Sequence, residues 1–502
     1  MNSLRNNVSA KKIPCLYKHD GFPVTRDEEK AEIFREILKE RFTGFDDPNF
    51  DQEFRDEVEA FVTEELGRER DAEDFPRVTK EELLKNIRHL KGRSAPGQDG
   101  IYNMMLKNMS DGYLHLILEL CNISLKKGDI PNSWKKSMIT MIPKGSKLAT
   151  DPNNYRPISL ISCLSKLMER IIAQRLVGYL ESNGIIAKQQ SGFRRFRGTT
   201  DNLAYHTQKI METFNKKDKK AITLSFDIRA AFDAVWHSGL IYKMIKAKVP
   251  GYLVNWTSGF LRDRSFEVKV NDSISEPARI ITGVPQGSSI SPILFSIFIN
   301  DIPVGISSSN FDEKYSLLFA DDLTSTFLFG KVRIVNENIT DRVSEYLKEI
   351  ERWLCKWRMR MAPEKCNYTV FAKGNSSKNK FGFRLFGKLI PHERYPLSLG
   401  VTFDECLNFK KHVDNLRAKC IKRLNLLKIL AHRSWQLNRA TLISIYKSLI
   451  GSVLDYSSFM LPALSGSLKN KLQAVQNGAM RVVLCRSKLE HKSTAELCAM
   501  SG

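Results

Sequence analysis

Two adjacent carboxylates, Asp321 and Asp322, interrupt the apolar run YSLLFADDLTSTFLFG (Tyr315–Gly330). An ionised carboxylate in such surroundings is costly, so it must sit at a solvated turn, find a partner or bind metal. The run reads as strand, turn, strand, with the acidic pair at the tip of a hairpin. A third carboxylate, Asp227, ends the strand AITLSFD (Ala221–Asp227). Alternation there puts Ile222, Leu224 and Phe226 on one face and Thr223, Ser225 and Asp227 on the other. If the two strands are neighbours, three carboxylates converge and only cations can offset their repulsion. Oxygen-only ligation with open positions suits Mg²⁺, which takes one or two carboxylates plus substrate phosphates. Two such ions roughly 3.5–4 Å apart can serve an in-line displacement at phosphorus. An ordinary Asp-rich hairpin turn would show the same dipeptide, so the pair alone leaves both readings open.

The elements that must position these groups lie in a chain of 502 residues, 42% hydrophobic, long enough for two to four domains. Its formal charge of +22 implies a polyanionic partner, with nucleic acid the first candidate. The charge is uneven: residues 1–74 carry a net of about −8, leaving about +30 downstream. The acidic stretch Asp46–Asp74 reads as a solvated helix or linker. Nine cysteines without a C-x-x-C pair read as reduced thiols of an intracellular protein. The amino terminus lacks the apolar core of a signal peptide, and no uncharged apolar run reaches the length of a membrane span.

Thr25-x-x-Glu28 and Thr79-x-x-Glu82 read as capping boxes that open helices, the second with a Val78–Leu83 staple. KGRSAPGQDGI (Lys91–Ile101) is a turn-forming loop, and SMITMIPK (Ser137–Lys144) is a strand ending in a cation. NYRPISL (Asn154–Leu160) reads as a turn into a helix that continues to about Glu181. GVPQGSSISPILFSIFIND (Gly283–Asp301) reads as a Gly/Pro loop followed by a helix, with Ser291 suited to its cap and Pro292 to its first position. KGNSSKNK (Lys373–Lys380) reads as a surface loop. From about Phe409 the chain is helical, and Lys410–Arg433 carries eight Lys or Arg against one Asp. Its Val413, Leu416, Cys420, Leu424 and Leu427 form an apolar stripe, as in a helix packed on one face and wet on the other. Helices and strands mix without βαβ alternation, so the fold class is α+β.

FADD, SFDIRAAFDAVWH (Ser225–His237) and GVPQGSSISPILF together resemble the palm motifs of reverse transcriptases. SAPGQDGI, NYRPISL and QSGFRRFRGTTDNL look like the upstream motifs of non-LTR (LINE-type) retrotransposon enzymes. MAPEKCNYTVFAK (Met361–Lys373) and LGVTFDECLNFKKH (Leu399–His412) resemble the later motifs of the jockey-like branch. The resemblance covers Lys91 to His412. It implies a right-hand polymerase fold with fingers, palm and thumb behind a helical amino-terminal extension: residues 1–74 the extension, 75–409 fingers and palm, 410–502 a basic helical thumb. It implies RNA-directed DNA synthesis from a primer 3′-hydroxyl, with dNTPs, an RNA template, a DNA primer or target and two Mg²⁺ ions (Mn²⁺ an alternative) as partners.

On this resemblance the metal ligands carry over to Asp227, Asp321 and Asp322, with Asp322 the least constrained. Lys365 matches a lysine that donates a proton to pyrophosphate, its alternative being a solvated surface lysine. Phe232 matches the bulky residue against the nucleotide sugar, and Gln286 and Gly287 match the loop beside the templating base. Lys144 joins the nucleotide-binding set. Arg194 lies in the loop that resembles the triphosphate clamp, where Arg195 or Arg197 could substitute. Lys410, Lys411, Lys419, Lys422 and Arg423 are expected to meet nucleic-acid phosphates. Phe319 stands where the family commonly has Tyr, Gln98 where Pro is usual, and Ala362 and Cys366 where Asn and Thr are frequent. Residues 1–90 leave no room for the endonuclease that such elements encode, and no ribonuclease H or Cys–His knuckle is recognisable. The chain reads as the polymerase segment of a larger element or a retained copy. A maturase-like RNA-binding protein and a silent nucleic-acid-binding remnant are the competing readings. The expected location is the nucleus or a cytoplasmic ribonucleoprotein, and the oligomeric state is not legible.

Overall fold

This computed structural model describes residues 13–17, 21–68, 75–145, 147–216, 220–302, 313–329, 336–373, 381–485 and 493–501. Helices and strands are mixed without regular alternation, an α+β fold as expected. The chain divides into two compact units. The first takes Met1–Phe193, Ile228–Ile306 and Glu349–Met361, and the second takes Arg194–Asp227, Ser307–Lys348 and Ala362–Gly502.

In the first unit a sheet runs in the order Tyr155–Leu160, Lys136–Pro143, Arg264–Val270, Ser273–Ile274, with Ala278–Ile280 also paired to Arg264–Val270. Its two central strands are parallel and the other pairs antiparallel. The helix Asp27–Thr43 covers it with Ala31, Phe34, Leu38 and Phe42, which recur at helical spacing. Phe34 meets Tyr155 edge-on with ring centroids 5.0 Å apart, and Phe42 meets Phe266 likewise at 5.2 Å. Truncating such a buried ring to Ala costs about 3–5 kcal/mol.

Several local expectations need correction. NYRPISL does not turn into a helix: Tyr155–Leu160 is a strand, and the helix Cys163–Ser182 starts after it. Tyr155, Pro157 and Ser159 are buried alternately against more exposed neighbours, a period of two that the proline obscured. Pro157 is tolerated because this strand is the first in the sheet order. Thr79 caps its helix as expected, accepting the Glu82 N–H at 3.2 Å, and Val78 and Leu83 are buried. Glu82 pairs instead with Arg175 at 2.7 Å. Thr25 does not cap: the first helix begins after Arg26 without a side-chain cap, and Glu28 accepts from Ser273. Ser291 is itself helical, and the hydroxyl of Ser288 accepts the N–H groups of Ile290 and Ser291.

The acidic stretch is a docked helix, Gln52–Gly67, rather than a solvated one. Val58 and Val62 are buried, and the rings of Phe54 and Phe61 meet Tyr242 at 6.0 and 5.2 Å. Glu59 accepts from the Trp236 indole at 3.1 Å and the Ser238 hydroxyl at 2.7 Å, and Asp47 pairs with Arg360 at 2.9 Å. Residues 69–74 of that stretch, and 374–380 of the expected loop, lie outside the described residues.

The second unit holds an antiparallel sheet in the order Asn367–Phe371, Lys220–Asp227, Asp322–Phe329, Glu313–Phe319. Its basic helix, Lys410–Leu430, buries Val413, Leu416, Cys420 and Leu427 as the spacing predicted. Leu416 shares a core with Leu468 and Leu472 of the helix Gly466–Val483, and Leu427 with its Ala479 and Val483. The eight described cysteines are free thiols. No helix among the described residues is long and apolar enough to cross a membrane.

Candidate active site

The second unit carries three of the acidic side chains singled out above. Asp227 and Asp322 are direct partners across the antiparallel pair of strands. Phe319 pairs with Asp322, so the hairpin closes on Ala320 and Asp321. Ala320 takes φ 56°, the left-handed region that a two-residue hairpin loop demands. An alanine there costs about 1–2 kcal/mol, where a glycine would cost nothing. Beneath the turn, hydroxyls fix the register. Thr223 bonds Thr326 at 3.0 Å, Ser316 bonds Ser325 at 3.0 Å, and Ser325 also meets the Tyr346 hydroxyl. A one-residue slip would unmake all three bonds and reverse each strand's faces.

Asp322 is exposed as a residue, yet its carboxyl is pushed up to about 6, by desolvation first and then by Asp321 and Asp227. Asp227 faces a cation, Lys365, whose Nζ is 3.8 Å from Oδ2. A tight turn brings that lysine round: the Ala362 N–H donates to the Asp227 carbonyl at 3.1 Å, and the N–H groups of Lys365 and Cys366 both donate to the Ala362 carbonyl. Burial pushes the Cys366 thiol up to about 11, so it stays neutral in the shadow of Asp227. As the side chains stand, no three His, Cys, Asp or Glu groups among the described residues are drawn up to one metal position. The donor set nonetheless suits a hard divalent cation: oxygen only, mutually repelling, on a strand pair whose Cα positions are fixed.

The first unit gathers Phe232, Gln286, Gly287 and Lys144. Phe232 is half-buried, its ring stacked on Phe295 at 4.6 Å and perpendicular to the Phe193 ring at 6.2 Å. Gln286 donates to the fully buried Asp233 at 2.9 Å, and its carbonyl accepts from the Ser159 N–H at 2.8 Å. Gln286 is therefore an anchor for its loop as well as a candidate contact. Gly287 takes φ 117°, and a Cβ there would stand 2.7 Å from the Ser159 carbonyl oxygen, so only glycine fits. Lys144 is half-buried, donates to the Asn153 carbonyl at 3.1 Å and acts electrostatically on Asp233. Burial pushes the Asp233 carboxyl up to about 6, partly opposed by Gln286.

Two carboxylates went unread in the sequence. Asp233 lies six residues past Asp227 within FDAVWH. Glu169, in the helix Cys163–Ser182, is fully buried and accepts from the Ser165 and Ser288 hydroxyls at 2.7 Å and the Ser289 N–H at 2.8 Å. Together they tie down residues 284–289 from two sides. For Asp233 the signal was the one that flagged Asp321, an acid inside an apolar run; Glu169 stands beside Arg170 and near Lys166 and carried no such signal.

Arg194 is half-buried and Arg195 and Arg197 are exposed in the loop before the helix Thr199–Asn215. Lys410, Lys411, Lys419 and Lys422 are exposed on the basic helix. Arg423 differs: half-buried, it donates to the Leu449 carbonyl and braces the neighbouring helical turn.

Residues 142–403 match the family model described as reverse transcriptase (RNA-dependent DNA polymerase). The chain is 32% identical over 90% of its length to the RNA-directed DNA polymerase from mobile element jockey of Drosophila melanogaster, covering 48% of that protein. It is 30% identical over 91% of its length to the probable RNA-directed DNA polymerase from transposon BS of the same species, covering 49%. With that from transposon X-element it shares 29% over 93%, covering 50%. The chain spans about half the length of the curated relatives it matches.

Proposed function

We propose that this chain, which belongs to the reverse transcriptase (RNA-dependent DNA polymerase) family, extends a primer 3′-hydroxyl with deoxynucleotides along an RNA template. The observation that carries this reading is the direct pairing of Asp227 with Asp322 across two strands, with Asp321 in the turn that joins one of them. Asp227, Asp321 and Asp322 would hold two Mg²⁺ ions (Mn²⁺ would also suit), which when bound supply Lewis acidity to the attacking and leaving oxygens. Lys365, held beside Asp227 by its turn, would give a proton to the departing pyrophosphate. Phe232 would set its ring against the sugar of the incoming nucleotide. Gln286, Gly287 and Lys144 would line the nucleotide site, with Arg194 or a neighbouring arginine on the triphosphate.

In this reading residues 75–409 form fingers and palm of a right-hand polymerase, 410–502 the thumb and 1–74 an extension. Lys410, Lys411, Lys419 and Lys422 would grip duplex phosphates. The source would be a non-LTR, jockey-like element and the setting a nuclear or cytoplasmic ribonucleoprotein. The test is primer extension on an RNA template with Mg²⁺ by the purified chain. Incorporation that depends on Asp321 supports the reading, and its absence in the wild-type protein overturns it.

A further inference from the structure

Phe196 is the most exposed of the large apolar side chains described, its ring wholly in solvent. Its backbone takes φ 60°, a region that bulky residues avoid. Both features oppose folding, and they fall on one residue. The loop around it is tethered: two residues on, the Gly198 N–H donates to the Asp201 carboxylate at 2.6 Å, at the start of the helix Thr199–Asn215. Its neighbours in the chain, Arg195 and Arg197, are exposed too. Strain kept in place by its surroundings is a mark of a functional position. An aromatic ring held in water, with an exposed arginine before and after it in the chain, is what a single strand of nucleic acid needs, because every base has a π-face and every linkage a phosphate.

We propose that Phe196 is a stacking platform for one unpaired base of the template strand, with Arg195 and Arg197 on the adjoining phosphates. This rests on the polymerase reading above with Arg194 as the triphosphate contact, a reading that assigns no role to Phe196. The stack is sequence-tolerant, since it uses no hydrogen-bonding edge of the base.

The experiment is binding of three labelled probes to the full chain by fluorescence anisotropy: a primer–RNA template with a 5′ overhang, the same overhang made abasic, and a blunt duplex. Phe196→Ala should weaken binding of the base-bearing overhang by about 10-fold, the usual scale of one base stacked on one ring. It should bind the abasic and blunt probes as the wild type does, and Phe196→Trp should keep the wild-type pattern. Phe196→Gly should show the same selective loss with an unchanged or raised Tm, because glycine accepts this backbone freely. The proposal fails if Phe196→Ala binds the overhang as tightly as wild type, loses equally on all three probes, or shares a lowered Tm with Phe196→Gly. Wild-type primer extension, measured alongside, judges the polymerase reading separately. No extension with a selective Phe196 effect removes that reading and keeps the platform, and extension without the selective effect does the reverse.

Discussion

Two acidic regions of this molecule receive opposite treatment. Around the helix Gln52–Gly67 the carboxylates are given donors: Glu59 has an indole and a hydroxyl, and Asp47 has the Arg360 guanidinium and Asn49. At the hairpin Ala320–Asp321 carboxylates are set beside one another: desolvation first, then Asp321 and Asp227, push Asp322 up to about 6, while Lys365 stands 3.8 Å from Asp227. The dense run of acids is built into packing, and the sparse trio is gathered at one turn. The density of charge in a sequence therefore says little. What discriminates is whether the fold sets its acids among donors, as around Glu59 and Asp47, or sets them against one another, as at Asp227, Asp321 and Asp322.

Breaking the comparison most sharply requires removing one charge from each region. Asp321→Asn or Asp227→Asn should lower primer extension by at least about 10²–10³-fold, the scale for losing one electrostatic stabiliser of a transition state. Circular dichroism should show the fold intact. Glu59→Gln should leave extension within a few-fold. Comparable losses in both would mean that the hairpin acids are structural too.

A cation should be felt by one region alone. Mg²⁺ at about 100 times its Kd would stabilise the wild-type chain by about 2.7 kcal/mol, read as a rise in Tm. The rise should vanish in Asp227→Asn and persist in Glu59→Gln. A rise of equal size in all three would locate the ion elsewhere.

Stability should respond in the opposite sense. Glu59→Ala leaves the Trp236 indole and the Ser238 hydroxyl without their acceptor, at a cost of about 1–3 kcal/mol. Denaturant titration should report that loss. Asp321→Asn, which relieves repulsion beside Asp322, should be neutral or stabilising in the same titration without metal.

Acid gives the finest distinction, because neither acidic region should fail first. Burial alone would raise the Asp47 carboxyl, but the Asn49 N–H and Arg360 outweigh it and hold it below its usual value. Its contribution is present above its unfolded pKa of 3.8 and is lost only as pH falls through the still lower folded value. His412 acts sooner. Its Nδ1 accepts the Thr402 N–H, which leaves Nε2 to donate to Ser457, and burial pushes the ring down to about 4 from 6.5. Between those values the unfolded ring binds more protons, so His412's own contribution falls as pH drops from 6.5 to 4. Asp233 and Asp322, whose carboxyls at about 6 take up protons first in the fold, slope the opposite way. His206 and His237, both pushed down to about 4 by burial, add to the His412 slope. His412→Gln should measurably lower the net slope of stability against pH, and an unchanged slope would mean that the ring is not neutral in the fold.

How much was legible follows the same physics. The hairpin, the strand Lys220–Asp227 and the apolar stripe of the basic helix were readable because their periods are local. NYRPISL was misread because its proline looked like a turn, and only its sheet neighbours make it a strand. The docking of Gln52–Gly67 was invisible because Trp236, Tyr242 and Arg360 lie far away in sequence. Asp233 and Glu169 were in view but unread, and what they hold is a loop some fifty to one hundred and twenty residues downstream.

The pairing of Asp227 with Asp322 sets a rule for how such a chain can vary in length. Ninety-five positions separate the two residues, yet their alignment depends only on the phase of two short strands. Residues gained or lost in the long connection leave that phase untouched. One residue gained inside Lys220–Asp227 or Asp322–Phe329 would send every side chain beyond it to the other side of the sheet. Length differences among working relatives should therefore crowd into the connection and stop short at the two strands, like play in a chain drawn taut at both ends.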